Sequence, residues 1–151
     1  MASFVIFDLP QAGLFSLGLN RVLVVEDAQE VQQLIRSYLE SVLGISTSGV
    51  VTGSEALDAI NSFQPDLVIL DLSLPDMTGF TVCRQIRQTQ KAGKIPVIIV
   101  SALDTDLDKE EAERAGGSAY LPKGGPLREW LNELLALLRI LEKAGGTVSN
   151  E

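Results

Sequence analysis

The sequence predicts an α/β domain built as a doubly wound, five-stranded parallel sheet. Five short apolar runs alternate with five stretches of helical spacing, the pattern of repeated strand–helix units. The runs are rich in Val and Ile with little polar alternation, which implies burial on both faces as in a parallel sheet. Polar residues stand at or just past the C-terminal ends of four runs: Glu26 and Asp27, Asp71, Ser101 and Lys123. In an open α/β sheet those ends line one crevice, and ligands bind there.

The expected strands cover residues 21–25, 45–51, 67–71, 96–101 and 118–121. The first helix carries Val31, Leu34, Ile35, Tyr38, Leu39 and Val42 at helical spacing. Thr52 and Glu55 have capping-box spacing ahead of Ala56, Leu57 and Ile60. The third helix starts near Gly79 and carries Phe80, Val82, Cys83 and Ile86. The fourth, about 105–115, is mostly charged and reads as a solvated face. The fifth, about 126–142, is Leu-rich, with an apolar arc formed by Leu127, Trp130, Leu131, Leu134, Leu135, Leu137, Leu138 and Leu141. Most of that arc faces the core. Trp130, Leu137 and Ile140 lie toward one edge and are candidates to meet a partner.

Three regions follow: an apolar N-terminal extension at 1–20, the domain at 21–142, and a flexible tail at 143–151. The extension lacks a basic start, because no Lys or Arg precedes Arg21. Asp8, Pro10 and Gln11 interrupt its apolar run. It therefore reads neither as a signal peptide nor as a membrane span. So much exposed apolar surface would favour aggregation. The extension is expected to be covered by the domain or by a second subunit.

Composition narrows the function. The 151 residues carry a net charge of −8, so a direct nucleic-acid surface is not expected. One cysteine and no histidine exclude an intrachain disulfide and leave little for zinc. A reducing, cytoplasmic setting fits, with no membrane partner.

Three carboxylates, a hydroxyl and an ammonium in one crevice suit a divalent cation and a phosphoryl group. A carboxylate can act as a nucleophile toward phosphorus, giving an aspartyl phosphate. Mg²⁺ neutralises charge in such a step and prefers a few carboxylates plus waters. Asp27 and Asp71 are the expected direct ligands, with Glu26 acting directly or through water. Without the cation the carboxylates repel, and at least one pKa is expected to rise. Ser101 is suited to donate to a phosphoryl oxygen, and Lys123 to supply a point charge. The plainer reading of Asp27 is a helix N-cap.

The segments VLVVED (22–27), LVILDLSLPDMTG (67–79), VIIVSA (97–102) and AYLPK (119–123) resemble the receiver domain of bacterial two-component response regulators. The resemblance spans about 21–142. It implies the flavodoxin-like strand order 2-1-3-4-5, counting the expected strands along the chain. It implies a regulator rather than an ordinary enzyme, with at most slow self-dephosphorylation. Asp71 would accept a phosphoryl group from a histidine kinase or phosphotransfer protein. Asp27, Asp71 and the Ser73 carbonyl would bind Mg²⁺, with Glu26 beside them. Ser101 and Lys123 would hold the phosphoryl group. Tyr120 would be the switch aromatic, turning inward as Ser101 moves toward the phosphate. The face made by the fourth helix, fifth strand and fifth helix would report the change to a downstream target, and the last helix suggests a homodimer. Family members usually place Pro directly after the lysine, whereas here Gly124 follows and Pro122 precedes it. The Lys123–Gly125 loop is therefore expected to take its own course. A competing expectation is a phosphorylation-independent interaction domain of the same fold.

Overall fold

The computed structural model describes residues 3–15, 17–90 and 92–146. Its strands are β1 (Val5–Ile6), β2 (Arg21–Val25), β3 (Ser46–Val50), β4 (Leu67–Asp71), β5 (Val97–Ser101) and β6 (Ala119–Pro122). Its helices are α1 (Gln29–Leu43), α2 (Gly53–Ser62), α3 (Gly79–Gln88), α4 (Asp106–Arg114) and α5 (Leu127–Ala144).

All five expected strands form, and they run parallel in the order β3-β2-β4-β5-β6. This is the expected order, the second strand lying outside the first. The sheet has one more strand than expected. β1 pairs antiparallel with β6 at the far edge. A two-residue strand shows no readable period, so the sequence gives no signal for it. The physical cause is the bare edge of β6, whose unpaired backbone groups accept a short cover.

Two apolar layers sandwich the sheet. Val22 and Val24 face one layer, with Ile35 and Leu39 of α1 and Leu134, Leu138 and Leu141 of α5. Leu23 and Val25 face the other, with Ala56 and Ile60 of α2, Val82 and Ile86 of α3, and Ala112 of α4. β4 and β5 are buried at every residue, as near-continuous apolar runs require. Local signals fix the helix starts. Thr52 accepts from the Glu55 amide and Thr78 from the Thr81 amide, while Thr105 and Asp108 form a reciprocal capping box. α1 stops at Gly44, which takes φ of 66° and returns its amide to the Glu40 carbonyl. Only Ala112 of α4 is buried, as its charge run predicts.

The extension is covered by the domain itself. Phe15 and Leu19 are buried in the α1/α5 layer, and Phe4, Ile6 and Leu14 pack against it. The chain's far end meets it there. α5 runs to Ala144, two residues past its expected end, and the Gly146 carbonyl accepts from the Gly13 amide at 2.7 Å. Gly145 and Gly146 thus meet the extension directly, and residues 147–151 of the expected tail lie outside the described residues. Trp130 and Leu137 correct another expectation. Both are buried in the core, leaving Ile140 as the exposed member of that trio. Among the described residues no helix is long and apolar enough to cross a membrane.

Candidate functional site

The C-terminal ends of β2, β4, β5 and β6 bring together the polar residues that end four separate runs. Carboxylate oxygens of Glu26, Asp27 and Asp71 all lie within 4.8 Å of one another. Glu26 and Asp71 are buried, while Asp27 is exposed at the mouth. The Lys123 ammonium reaches in from the end of β6. It donates to Glu26 Oε1 at 2.5 Å and to Asp71 Oδ2 at 3.2 Å. Its reach is thus intact although Gly124 follows it. The loop turns through Gly125 at φ of 71°, and no cis peptide occurs among the described residues.

Asp71 is held from both sides. Its Oδ1 accepts from the Ser73 amide at 3.1 Å, while Oδ2 meets Lys123. Ser73 itself is exposed beside the cluster. The plain N-cap reading of Asp27 does not hold, because Ala28 occupies the N-cap of α1 with no side-chain cap. Asp27 is left facing the cluster and solvent.

Burial pushes the Glu26 carboxyl up to about 7, and the Asp71 charge adds to this. The Lys123 ammonium opposes the rise but does not cancel it. The same two carboxylates push the Lys123 ammonium up against the effect of its burial. The expected rise in one carboxylate is therefore present, with desolvation rather than repulsion as the larger cause. The hard oxygen donors of Glu26, Asp27 and Asp71 suit Mg²⁺. Three carboxylates against one ammonium leave a formal negative excess for it.

Ser101 is buried at the end of β5. Its Oγ accepts from the Leu103 amide at 3.1 Å, and its carbonyl accepts from the Lys123 amide at 2.7 Å. Tyr120 is fully buried on β6, and its phenol donates to the Leu103 carbonyl at 2.6 Å. Ser101 and Tyr120 thus hold the two sides of one residue, Leu103. Burial also pushes the Tyr120 phenol up.

Several supporting residues escaped the sequence reading. Gln32, buried on α1, donates to the Glu26 and Val50 carbonyls and ties β2 to β3 behind the cluster. Helix periodicity marks it only as a polar residue near an apolar face. Asp76 accepts from the Gly53 and Ser54 amides at 2.8 and 2.9 Å, pinning the loop after β4 to the start of α2. These amides hold its carboxyl below the usual range. Nothing local in sequence announces a partner so far away. Gly79 lies directly behind the site. A Cβ there would strike the Asp71 carbonyl oxygen and come within 2.8 Å of the Leu72 Cα, so only glycine lets α3 start against the end of β4. Trp130 flanks the lysine, with Nζ 5.9 Å from the ring centroid. That contact, together with core packing, accounts for this indole without an outside partner.

The sequence profile of the response regulator receiver domain matches residues 22–135. The chain is 40% identical over 119 residues to the response regulator MprA of Mycolicibacterium vanbaalenii, covering 79% of this chain and 50% of that one. For the response regulator MprA of Mycobacterium avium the values are 39%, 79% and 51%. The chain therefore spans about half the length of these curated relatives. Among solved structures, the receiver domain of Francisella response regulator 1452 superposes with a TM-score of 0.70 at 33% identity, over 82% of this chain and 97% of that one. The BeF3-activated N-terminal receiver domain of Klebsiella pneumoniae RstA gives 0.67 at 34%, over 80% and 99%.

Proposed function

The chain belongs to the response regulator receiver domain family, a family of phosphorylation-based signalling switches, and we propose that Asp71 is its phosphoacceptor. The observation that carries this reading is the buried Asp71 carboxylate, gripped by Lys123 and the Ser73 amide and clustered with Glu26 and Asp27.

In the proposed reaction an Asp71 oxygen attacks phosphorus of a phosphohistidine on a histidine kinase or phosphotransfer protein. The new O–P bond forms as the N–P bond breaks, and the electron pair returns to the imidazole. Lys123 is already beside Asp71, so its charge needs little movement to meet the incoming oxygens. Asp27, Asp71 and Glu26, with the Ser73 carbonyl, would hold Mg²⁺, which when bound neutralises charge on the phosphoryl oxygens. Ser101 would exchange its Leu103 amide for a phosphoryl oxygen. Because Leu103 also holds the Tyr120 phenol, that exchange reaches the surface between α4 and β6. A downstream target would read it there. The domain is a regulator, with at most slow self-dephosphorylation. The buried free Cys83, pushed up to about 11 by burial, suits a reducing cytoplasm.

The test is acetyl phosphate with Mg²⁺, read by intact mass. One added phosphoryl group is expected, and none in Asp71→Asn. Equal labelling of the Asn variant would remove Asp71 from this role. No labelling of either would favour a phosphorylation-independent interaction domain.

A further inference from the structure

We propose that the segment around β1 is an internal strap that holds the Tyr120 ring inward and so favours retention of the phosphoryl group. The proposal rests on the reading of Asp71 as phosphoacceptor and of Tyr120 as its switch.

The strap lies along the strand that carries Tyr120 and ends beside Lys123. Val5 pairs with Tyr120 and Ile6 with Ala119. Residues directly opposite in an antiparallel pair put their side chains on the same face of the sheet. Val5 therefore flanks Tyr120 on the outer side, while Ile99 of β5 flanks it on the inner side. Phe7 packs against the same apolar layer as Tyr120. The Phe7 and Asp8 amides both donate to the Ser118 carbonyl, at 2.8 and 3.2 Å. A ring on β6 that swings outward must cross the space these residues occupy.

Both ends of the strap are anchored. Ser3 Oγ donates to Glu133 Oε1 on α5 at 2.7 Å, and Phe15 is buried in the core beyond the other end. Between the anchors the hold is light. β1 has two residues, and Val5 and Leu9 are 38% and 53% exposed. Such a segment opens locally at far lower cost than the core.

Tyr120 stands between the two arms of the site. Its phenol is on Leu103, whose amide is on Ser101, and its strand runs on into Lys123. A group that keeps the ring inward and a phosphoryl group that recruits Ser101 and Lys123 favour the same arrangement. Linkage then requires each to strengthen the other.

The experiment compares the full chain, a chain lacking residues 1–9, and Val5→Gly. Tyrosine nitration by tetranitromethane, mapped by peptide mass, reports ring exposure. Tyr38, whose phenol donates to Asn132 Oδ1 on α5 at 3.0 Å, is the internal reference. Phosphoryl occupancy is measured by intact mass at subsaturating acetyl phosphate with Mg²⁺. Tyr120 nitration is expected to rise about fivefold or more in both variants, with Tyr38 unchanged. Occupancy is expected to fall about fivefold or more, the lower end of ordinary site-to-site coupling. If the deletion fails to fold, Val5→Gly decides, since its half-exposed side chain is tolerable to lose. Equal protection of Tyr120 in all chains would overturn the strap. Exposed Tyr120 with unchanged occupancy would overturn the coupling. Failure of the full chain itself to take a phosphoryl group would instead overturn the Asp71 reading and the coupling with it, while nitration would still decide whether the strap holds the ring.

Discussion

Glu26→Gln is expected to flatten part of the pH dependence of stability, in a direction opposite to that of most paired carboxylates. The Glu26 carboxyl is 3% exposed, and burial pushes it from the ordinary 4.5 to about 7. Between those values the folded chain holds a proton that the unfolded chain has released. Stability from this group is therefore full below 4.5 and is lost as pH rises through about 7. At about 1.4 kcal/mol for each tenfold change in proton affinity, the loss approaches about 3 kcal/mol. Gln keeps the shape and can still accept from Lys123, but it cannot ionise. Lys123 also retains Asp71 at 3.2 Å. Urea unfolding of both proteins from pH 5 to 8.5, with a chelator present, measures the difference. Wild type should lose about 3 kcal/mol relative to the variant across that span. Parallel curves would refute the burial argument. A curve of opposite sign would show that the ammonium, rather than desolvation, governs Glu26.

Phe15→Ala should cost about 3–5 kcal/mol, because it empties a core position, whereas Leu17→Ala, at a residue 90% exposed, should stay within about 0.5 kcal/mol; equal melting temperatures for the two would show that the extension is not docked. Mg²⁺ at tenfold its Kd should stabilise wild type by about 1.4 kcal/mol, or about 3–6 °C in melting temperature for a chain of this size, and Asp27→Ala should respond less in a thermal melt. Asp76→Asn should lower the melting temperature at neutral pH. Its carboxyl is held below 3.8 by the Gly53 and Ser54 amides, so the deficit should vanish on acidification below that value, and a deficit constant with pH would count against the clamp.

The parallel sheet was legible because its signal is long and repeated. Five short apolar runs alternating with helical stretches cannot be hidden by local noise, and the polar residue that ends four of them is fixed in space by the strand before it. Asp71, Ser101 and Lys123 therefore fall together as their strands dictate. Contacts that join distant segments without any period were not legible. β1 owes its place to the bare edge of β6. Asp76 reaches across to amides of α2, and Gln32 looks from sequence like any polar residue on a helix. Trp130 shows the opposite failure. Its position at the edge of an apolar arc suggested an outside partner, but the arc closes over it and Lys123 takes up one side of the ring. The contacts of the chain's far end were not legible either, because the Gly145 and Gly146 carbonyls meet the amides of residues 15 and 13 across the fold.

The placement of that indole has a practical consequence. The chain contains a single tryptophan, and its ring lies 5.9 Å from the ammonium that grips Glu26 and Asp71. An excited indole responds to nearby charge through both emission wavelength and yield. Any event that draws Lys123 away from its present carboxylates alters the field across the one fluorophore. The protein therefore carries its own optical gauge of site occupancy. Titration with a cation or a phosphodonor can be followed in real time in the unlabelled molecule, with Lys123→Met as the blank that separates the charge effect from a change in packing.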